Sequence, residues 1–167
     1  MTLIEHAPEP ELLRRTFSFF PSGVAAIGAV VNGSKEALVA SSFTVGVSLS
    51  PPLVLFSVQN SSTTWPVLRQ APRLGISVLA TEHDQACRQL ASKDKAARFR
   101  DLPVDVGQRG SLFIHGSPVW LECSVTQEVP AGDHHVVLME VTSLGFDGAI
   151  DPLVFHSSTF RRLMKSA

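Results

Sequence analysis

The residues able to do chemistry fall into three polar clusters and one acid–histidine pair. The first cluster is the strand end Ala40-Ser41-Ser42-Phe43-Thr44, where three small hydroxyls surround an aromatic ring. Such a set suits a flat heterocycle whose edge needs hydrogen-bond partners; the solvent-facing side of an edge strand has the same composition. The second is Gln59-Asn60-Ser61-Ser62-Thr63-Thr64, which leaves an apolar run and enters a short helix. Hydroxyl donors with free backbone N–H groups at a helix start form an anion site suited to a phosphate. Ordinary N-capping needs only one of these residues, and four consecutive hydroxyls exceed that need. The third is Ala91-Ser92-Lys93-Asp94-Lys95 with Arg98 and Phe99. Cations at a helix end complement its dipole. If the loop folds back to Ser62 and Thr63, the same cations neutralise a phosphate.

The pair is Asp133-His134. A carboxylate beside an imidazole can hold it oriented and partly protonated, able to meet a phosphate or a carboxamide. His134 and His135 are adjacent on an expected strand, so their rings point to opposite faces and cannot chelate one ion together. The six histidines form no metal motif, and no metal is expected. There is no GxSxG, no HExxH, no carboxylate pair, and no GxGxxG after a strand. Gly28 to Lys35 reads GAVVNGSK and approaches a phosphate-binding P-loop. The order is Ser-Lys instead of Lys-Ser/Thr, and a strand follows where a helix is required. The two cysteines, Cys87 and Cys123, fall in different elements and form no CxxC pair, which argues against zinc or a redox dithiol.

These groups need a scaffold. Pro10 to Phe20 places Leu12, Leu13, Phe17 and Phe20 on one helical face. Val24 to Val31 is β-rich, Asn32-Gly33 is a preferred type I′ hairpin pair, and Glu36 to Val47 is expected as one returning strand. Leu53 to Val58 and Arg73 to Ala80 read as buried strands, with helices over Ser62–Ala71 and Glu82–Ala91. Ser62 or Thr63 can cap the first of these helices. Pro103 to Gly110 reads as a loop. From Val119 the pattern alternates, with Val119, Leu121, Cys123 and Val125 on one face. Gly132-Asp133 turns into a strand over His134–Phe146; Asp147-Gly148 turns again, Leu153 to His156 is a short strand, and Phe160 to Met164 is expected as a helix. Hairpins dominate, without βαβ alternation, so a mainly β chain with peripheral helices (α+β), built as an antiparallel barrel, fits better than a doubly wound sheet.

The chain has 167 residues, 44% hydrophobic and 17% charged, with a formal net charge of −1. That fits a single globular domain over 1–167, with its core at about 13–163. No basic run supports nucleic-acid binding. The amino terminus carries Glu5, Glu9 and Glu11 rather than a signal peptide, and no stretch reaches the ~18 apolar residues of a spanning helix. No membrane association is expected, and the compartment expected is the cytoplasm.

Together the segments resemble the short-chain flavin reductases of the FMN-binding split-barrel superfamily. Phe20-Pro21-Ser22-Gly23-Val24 is similar to the family's F-P-[TS]-G-V, and Ser41 to Thr44 with Val47 to Val54 to its N-S-F-x-S-V-S-L-x-P-P-L-V. Asn60-Ser61-Ser62-Thr63 resembles the segment folded around the flavin phosphate, and Arg73 to Leu79 a family strand. Ala91-Ser92-Lys93 with Arg98-Phe99, Gly132-Asp133-His134, and Phe160 to Leu163 match further blocks in order.

The resemblance implies an antiparallel Greek-key split β-barrel, a homodimer, with flavin at or near the subunit interface. It implies NAD(P)H-dependent reduction of FMN or FAD by NADH or NADPH, often to supply a separate monooxygenase. By carry-over Ser41, Ser42, Phe43 and Thr44 meet the ring, Ser57, Val58 and Gln59 line it, and Ser62, Thr63, Ser92 and Lys93 hold the phosphate, with Arg98 beside them. His134 lies on the nicotinamide side as the catalytic candidate, with Phe160 and Arg161 near the mouth. His156-Ser157-Ser158-Thr159-Phe160 replaces the family's Tyr-Arg-Gly-x-Tyr, and the chain has no tyrosine. Other expectations open within the superfamily are a pyridoxine-phosphate-type or deazaflavin-type oxidoreductase, or a flavin carrier without enzymatic activity.

Overall fold

The computed structural model describes Leu3 and residues 10–164; Glu5 and Glu9, on which the reading of the amino terminus partly rests, lie outside them. Helix α1 (Pro10–Ser18) leads into β1 (Ser22–Gly23) and β2 (Ala25–Val31). Asn32 and Gly33 both take positive φ, 51° and 79°, as a type I′ turn demands, and return the chain as β3 (Ser34–Ala40). Strands β4 (Thr44–Leu49) and β5 (Pro52–Gln59) follow, then α2 (Trp65–Leu68) and β6 (Leu74–Val78). A 3₁₀ turn over Thr81–His83 opens α3 (Asp84–Leu90). After it come β7 (Val104–Val106), β8 (Leu112–Ile114), β9 (Val119–Ala131), β10 (His134–Phe146), β11 (Val154–His156) and β12 (Thr159–Arg161).

Seven strands form one antiparallel sheet in the order β3-β2-β6-β9-β10-β5-β4, curled into a barrel that is not closed. Its interior follows from alternation. Ala25, Ile27, Ala29 and Val31 of β2, Leu121 and Cys123 of β9, and Val54, Phe56 and Val58 of β5 point inward around Trp65 and Leu68 of α2. Each fully buried side chain of the size of Phe56 is worth roughly 1.5–3 kcal/mol, and Phe56 stacks edge-on against Trp65 at 5.3 Å.

The outer face of β2 is covered as well, which is why that strand reads as a continuous apolar run. Val24, Ala26 and Ala37 pack with Cys87 and Leu90 of α3 and Leu112 and Ile114 of β8. Strand β8 crosses the barrel wall where Gly28 pairs with Gly75. A Cβ on Gly75 would lie 2.3 Å from the Leu112 carbonyl oxygen, so this crossing requires glycine. The near P-loop at Gly28 is thereby explained as a packing feature, in line with its rejection.

Three local expectations are corrected. Glu36 to Val47 is two strands, not one: the chain leaves β3 at Ala40, breaks over Ser41–Phe43 and resumes as β4 at the opposite edge of the sheet. Val104–Val106 is a strand, not loop: it pairs antiparallel with β8, the next strand in the chain, so that its backbone groups find partners across the connection at 107–111. Phe160 begins no helix: Thr159–Arg161 pairs with β11 in a small sheet that also includes β1. Ser157 and Ser158, both at positive φ, make the turn that the helix expectation did not weigh. No helix among the described residues is long and apolar enough to cross a membrane.

Candidate functional site

The break between β3 and β4 is the origin of the site. Leaving β3, the chain reaches across to β5, and one side chain fastens it there. Ser42 Oγ accepts from the Ser57 N–H at 3.0 Å and donates to the Ser57 carbonyl at 3.1 Å. Ser42 thus stands in for a strand neighbour at the split. Beneath this stitch opens a cleft of about 580 Å³. Its walls come from the end of β3 and Ser41-Ser42, the end of β5, the hydroxyl segment before α2, the end of α3 with the loop after it, and His134.

The third polar cluster does fold back onto the second. Arg98 donates through Nη1 to Thr64 Oγ1 at 2.9 Å and to the Ala37 carbonyl at 3.0 Å, and through Nε to the Ser92 carbonyl at 2.8 Å. Lys95 Nζ donates to the Thr63 carbonyl at 3.1 Å. Lys93 and Arg98 therefore stand in one cleft with Ser62 and Thr63, and no carboxylate is among the residues that line it. The expected free N–H groups at the start of α2 are mostly used. Ser62 Oγ accepts from Trp65 N, Pro66 has none, and Val67 and Leu68 donate to the Thr64 carbonyl. An anion here would meet side chains: the hydroxyl protons of Ser62 and Thr63, and two cations. The N-cap position itself is Thr64, whose side chain makes no cap bond, so neither Ser62 nor Thr63 is the N-cap expected; Ser62 acts from two residues upstream.

At the other side of the cleft His134 Nδ1 lies 2.6 Å from Asp133 Oδ1. This contact, chiefly through its hydrogen bond, holds the Asp133 carboxyl below the usual carboxylate range. The Nδ1–H is thereby committed to the carboxylate, and Nε2 is the nitrogen left for a ligand. His135, the next residue on the strand, instead pairs its Nδ1 with Asn60 Oδ1 at 2.7 Å.

Of the residues singled out from sequence, Ser41, Ser42, Ser57, Val58, Gln59, Ser62, Thr63, Lys93, Arg98 and His134 line this one cleft. The others stand elsewhere. Phe43 packs against the barrel core, and Thr44 turns its hydroxyl to the Ser42 carbonyl. Ser92 spends its hydroxyl on Asp94 N and its carbonyl on Arg98. Phe160 and Arg161 line a separate cavity of about 150 Å³ beside Thr81, Glu82 and Asp84, where Arg88 lies over the Phe160 ring at 5.0 Å. Sequence reasoning missed Leu38, Val39 and Leu90 as cleft wall; apolar residues on a strand and helix that read as ordinary core gave no signal. The cysteines contribute no reactive thiolate, since burial pushes Cys87 up to about 11 and Cys123 to about 12. No group of three or more metal-ligating side chains exists among the described residues.

The donor set fits a flavin mononucleotide moiety, with hydroxyls and cations for a phosphate at one end and an apolar strand wall with edge hydroxyls at the other. Comparison with known proteins agrees. The model of the flavin reductase like domain matches residues 17–164. A flavin reductase of Pseudomonas putida is 32% identical over 155 residues, covering 92% of this chain and 90% of the relative. The reductase subunit HsaB of a flavin-dependent monooxygenase from Rhodococcus jostii is 29% identical, covering 92% and 78%. The structure of the Streptomyces globisporus NADH:FAD oxidoreductase SgcE6 in complex with NAD and FAD fragments superposes with a TM-score of 0.90 at 31% identity, covering 100% and 99% of the two chains. With its open antiparallel barrel and a cleft of matching chemistry, the chain belongs to the flavin-reductase-like family.

Proposed function

We propose that this protein is an NAD(P)H:flavin oxidoreductase that uses the cleft at the barrel split as its active site. The observation carrying this reading is the gathering of Ser62, Thr63, Lys93 and Arg98 into one cleft with Ser41, Gln59 and His134. A flavin held there, FMN or FAD, would supply the redox chemistry, as acceptor of a hydride from NADH or NADPH. The protein's own groups bind and orient. Ser62, Thr63 and Lys93 hold the phosphate, with Arg98 fixing the loop that brings Lys93 to it. Ser41, the Ser57 hydroxyl and Gln59 face the ring edge, and Val58 supplies apolar wall. His134, fixed through Nδ1 by Asp133, presents Nε2 to orient the nicotinamide or deliver a proton.

Large apolar side chains left in the open support a homodimer: Phe17, Val45, Leu49, Leu144 and Phe146 are each more than 60% exposed. Leu49→Lys is expected to lower the solution mass by half in light scattering. Family members that serve monooxygenases support a separate monooxygenase as acceptor of the reduced flavin, and two unpaired buried cysteines fit a reducing cytoplasm. Anaerobic mixing of the protein with NADH and FMN tests the activity: flavin absorbance bleaches at a rate proportional to enzyme, and its persistence would refute the reductase reading. Ser62→Ala combined with Thr63→Ala weakens FMN binding while the fold persists; unchanged affinity would move the phosphate site elsewhere.

A further inference from the structure

A second histidine, outside the cleft, points to a positioning device. Asn60 leaves the end of β5 immediately before the hydroxyl segment, and it holds three residues of the β9–β10 turn at once. Its backbone N–H donates to the Asp133 carbonyl at 2.9 Å. Its Nδ2 donates to the Gly132 carbonyl at 3.3 Å, and its Oδ1 accepts from His135 Nδ1 at 2.7 Å. These contacts assign each other. The amide nitrogen needs the Gly132 acceptor, so Oδ1 faces the ring, and His135 must present Nδ1–H there.

The clamped turn is the one that carries Asp133 and His134. Gly132, at φ 65°, gives the turn no side chain of its own to pack. Its place relative to β5 is therefore set by strand pairing and by Asn60. On its other side Asn60 continues directly into Ser61, Ser62 and Thr63 of the cleft wall.

We propose that Asn60 is a positioning residue for the reductase reaction, holding His134 in register with the hydroxyl segment by clamping Gly132, Asp133 and His135. This rests on the active-site reading above. Nothing about Asn60 needs to touch the ligand, and it is not among the residues that line the cleft.

The test is a double-mutant cycle read on the intact protein with FMN and NADH. Asn60→Ala is expected to lower kcat about tenfold through misplacement of His134, while the FMN dissociation constant, measured without nicotinamide, changes less than about threefold. In a His134→Ala background the same substitution costs less than about twofold in kcat, since residues acting as one unit fail to add. Asn60→Asp keeps the acceptor for His135 and recovers part of kcat, and it serves as the test variant should the alanine form fail to fold. Full additivity with His134→Ala, or an Asn60→Ala loss confined to flavin affinity, overturns the proposal while the active-site reading stands. A His134→Ala enzyme with unchanged kcat overturns both the role of His134 and this proposal. Failure of the native protein to bind FMN at all marks the failure of the underlying reading.

Discussion

Arg98 offers the sharpest test of how the cleft is held, because its charge and its geometry can be separated. The guanidinium joins three segments that are distant in sequence: β3 through Ala37, the entry to α2 through Thr64, and the loop after α3 through Ser92. Two of its acceptors belong to buried residues, Ala37 at 0% and Thr64 at 5% exposure. Hydrogen bonds to a charged group contribute about 1.5–3 kcal/mol each, and a buried acceptor left unsatisfied costs about 1–3 kcal/mol. Lysine keeps the charge but has one ammonium in place of a planar fork, so it can serve the Thr64–Ala37 pair or Ser92, not both. Arg98→Lys is therefore expected to cost about 1.5–3 kcal/mol, the loss of one charged hydrogen bond. For a domain of this size each kcal/mol moves Tm by about 2–4 °C, which gives a drop of about 3–12 °C. Arg98→Ala abandons all three acceptors and is expected to cost about 3–5 kcal/mol, with part of the third bond discounted for its partial exposure. Thermal melts at one fixed protein concentration, without flavin, read the effect. A lysine variant that melts within about 1 °C of the native protein but binds FMN more than about tenfold weaker refutes the reasoning. The fork would then serve the ligand and not the frame.

Other consequences follow from single contacts. Gly75→Ala forces a Cβ against the Leu112 carbonyl, and because that neighbour is backbone the strand crossing must shift; a loss of about 3 kcal/mol or more in denaturant unfolding is expected. Ser42→Ala removes both hydrogen bonds to Ser57 and is expected to cost about 1 kcal/mol, with faster hydrogen exchange at the Ser57 amide. His83 accepts the Ala80 N–H on Nδ1 at 3.1 Å, and burial lowers its pKa although its hydrogen bond with the His115 backbone opposes this. Above about pH 6.5 the ring is neutral in folded and unfolded chains alike. Below that the unfolded chain binds a proton that the folded one resists, so stability falls as the pH drops toward the depressed folded value. Melts of the native protein should show this decline, and His83→Asn, which keeps an acceptor for Ala80, should flatten it; equal slopes in the two proteins would remove His83 as its source.

Strands with a long apolar run, a strict alternation or a marked turn were legible; very short strands and a break inside a run were not. Asn32-Gly33 dictates a hairpin locally, and the Val119–Val125 alternation names its buried face without further information. The break at Ser41–Phe43 has no comparable local signal. Nothing in Glu36 to Val47 says that its first half pairs with β2 and its second half with β5, because that choice is made by the closure of the sheet. Val104–Val106 was hidden for another reason: three residues between Pro103 and Gly107 are too few to show a strand period, although their partner is the next strand. At the site, side-chain type carried the hydroxyl and cationic residues, since each can do little in a core. Arg98 was visible as a charge, but its work as a three-way tie was not, because two of its acceptors are backbone carbonyls and no sequence pattern marks them.

The place where the local reading failed is also the place where the cleft forms. A strand running unbroken from Glu36 to Val47 would keep pairing and leave no gap at the end of β3. Because the chain breaks at Ser41, the sheet stays open there, and the backbone groups of β5 facing the gap need a partner. Ser42 supplies it with one hydroxyl, which holds the rim without filling the space beneath. The small polar residues of this segment thus do two jobs that a bulkier or apolar residue could not combine: they satisfy an exposed strand edge and leave room for a flat ligand. By the same logic Arg98 satisfies the Ala37 carbonyl on the other free edge, β3, and in doing so draws the Lys93 loop over the opening. The cleft is therefore an unclosed sheet whose two edges are tied off by side chains from segments that also furnish its binding groups.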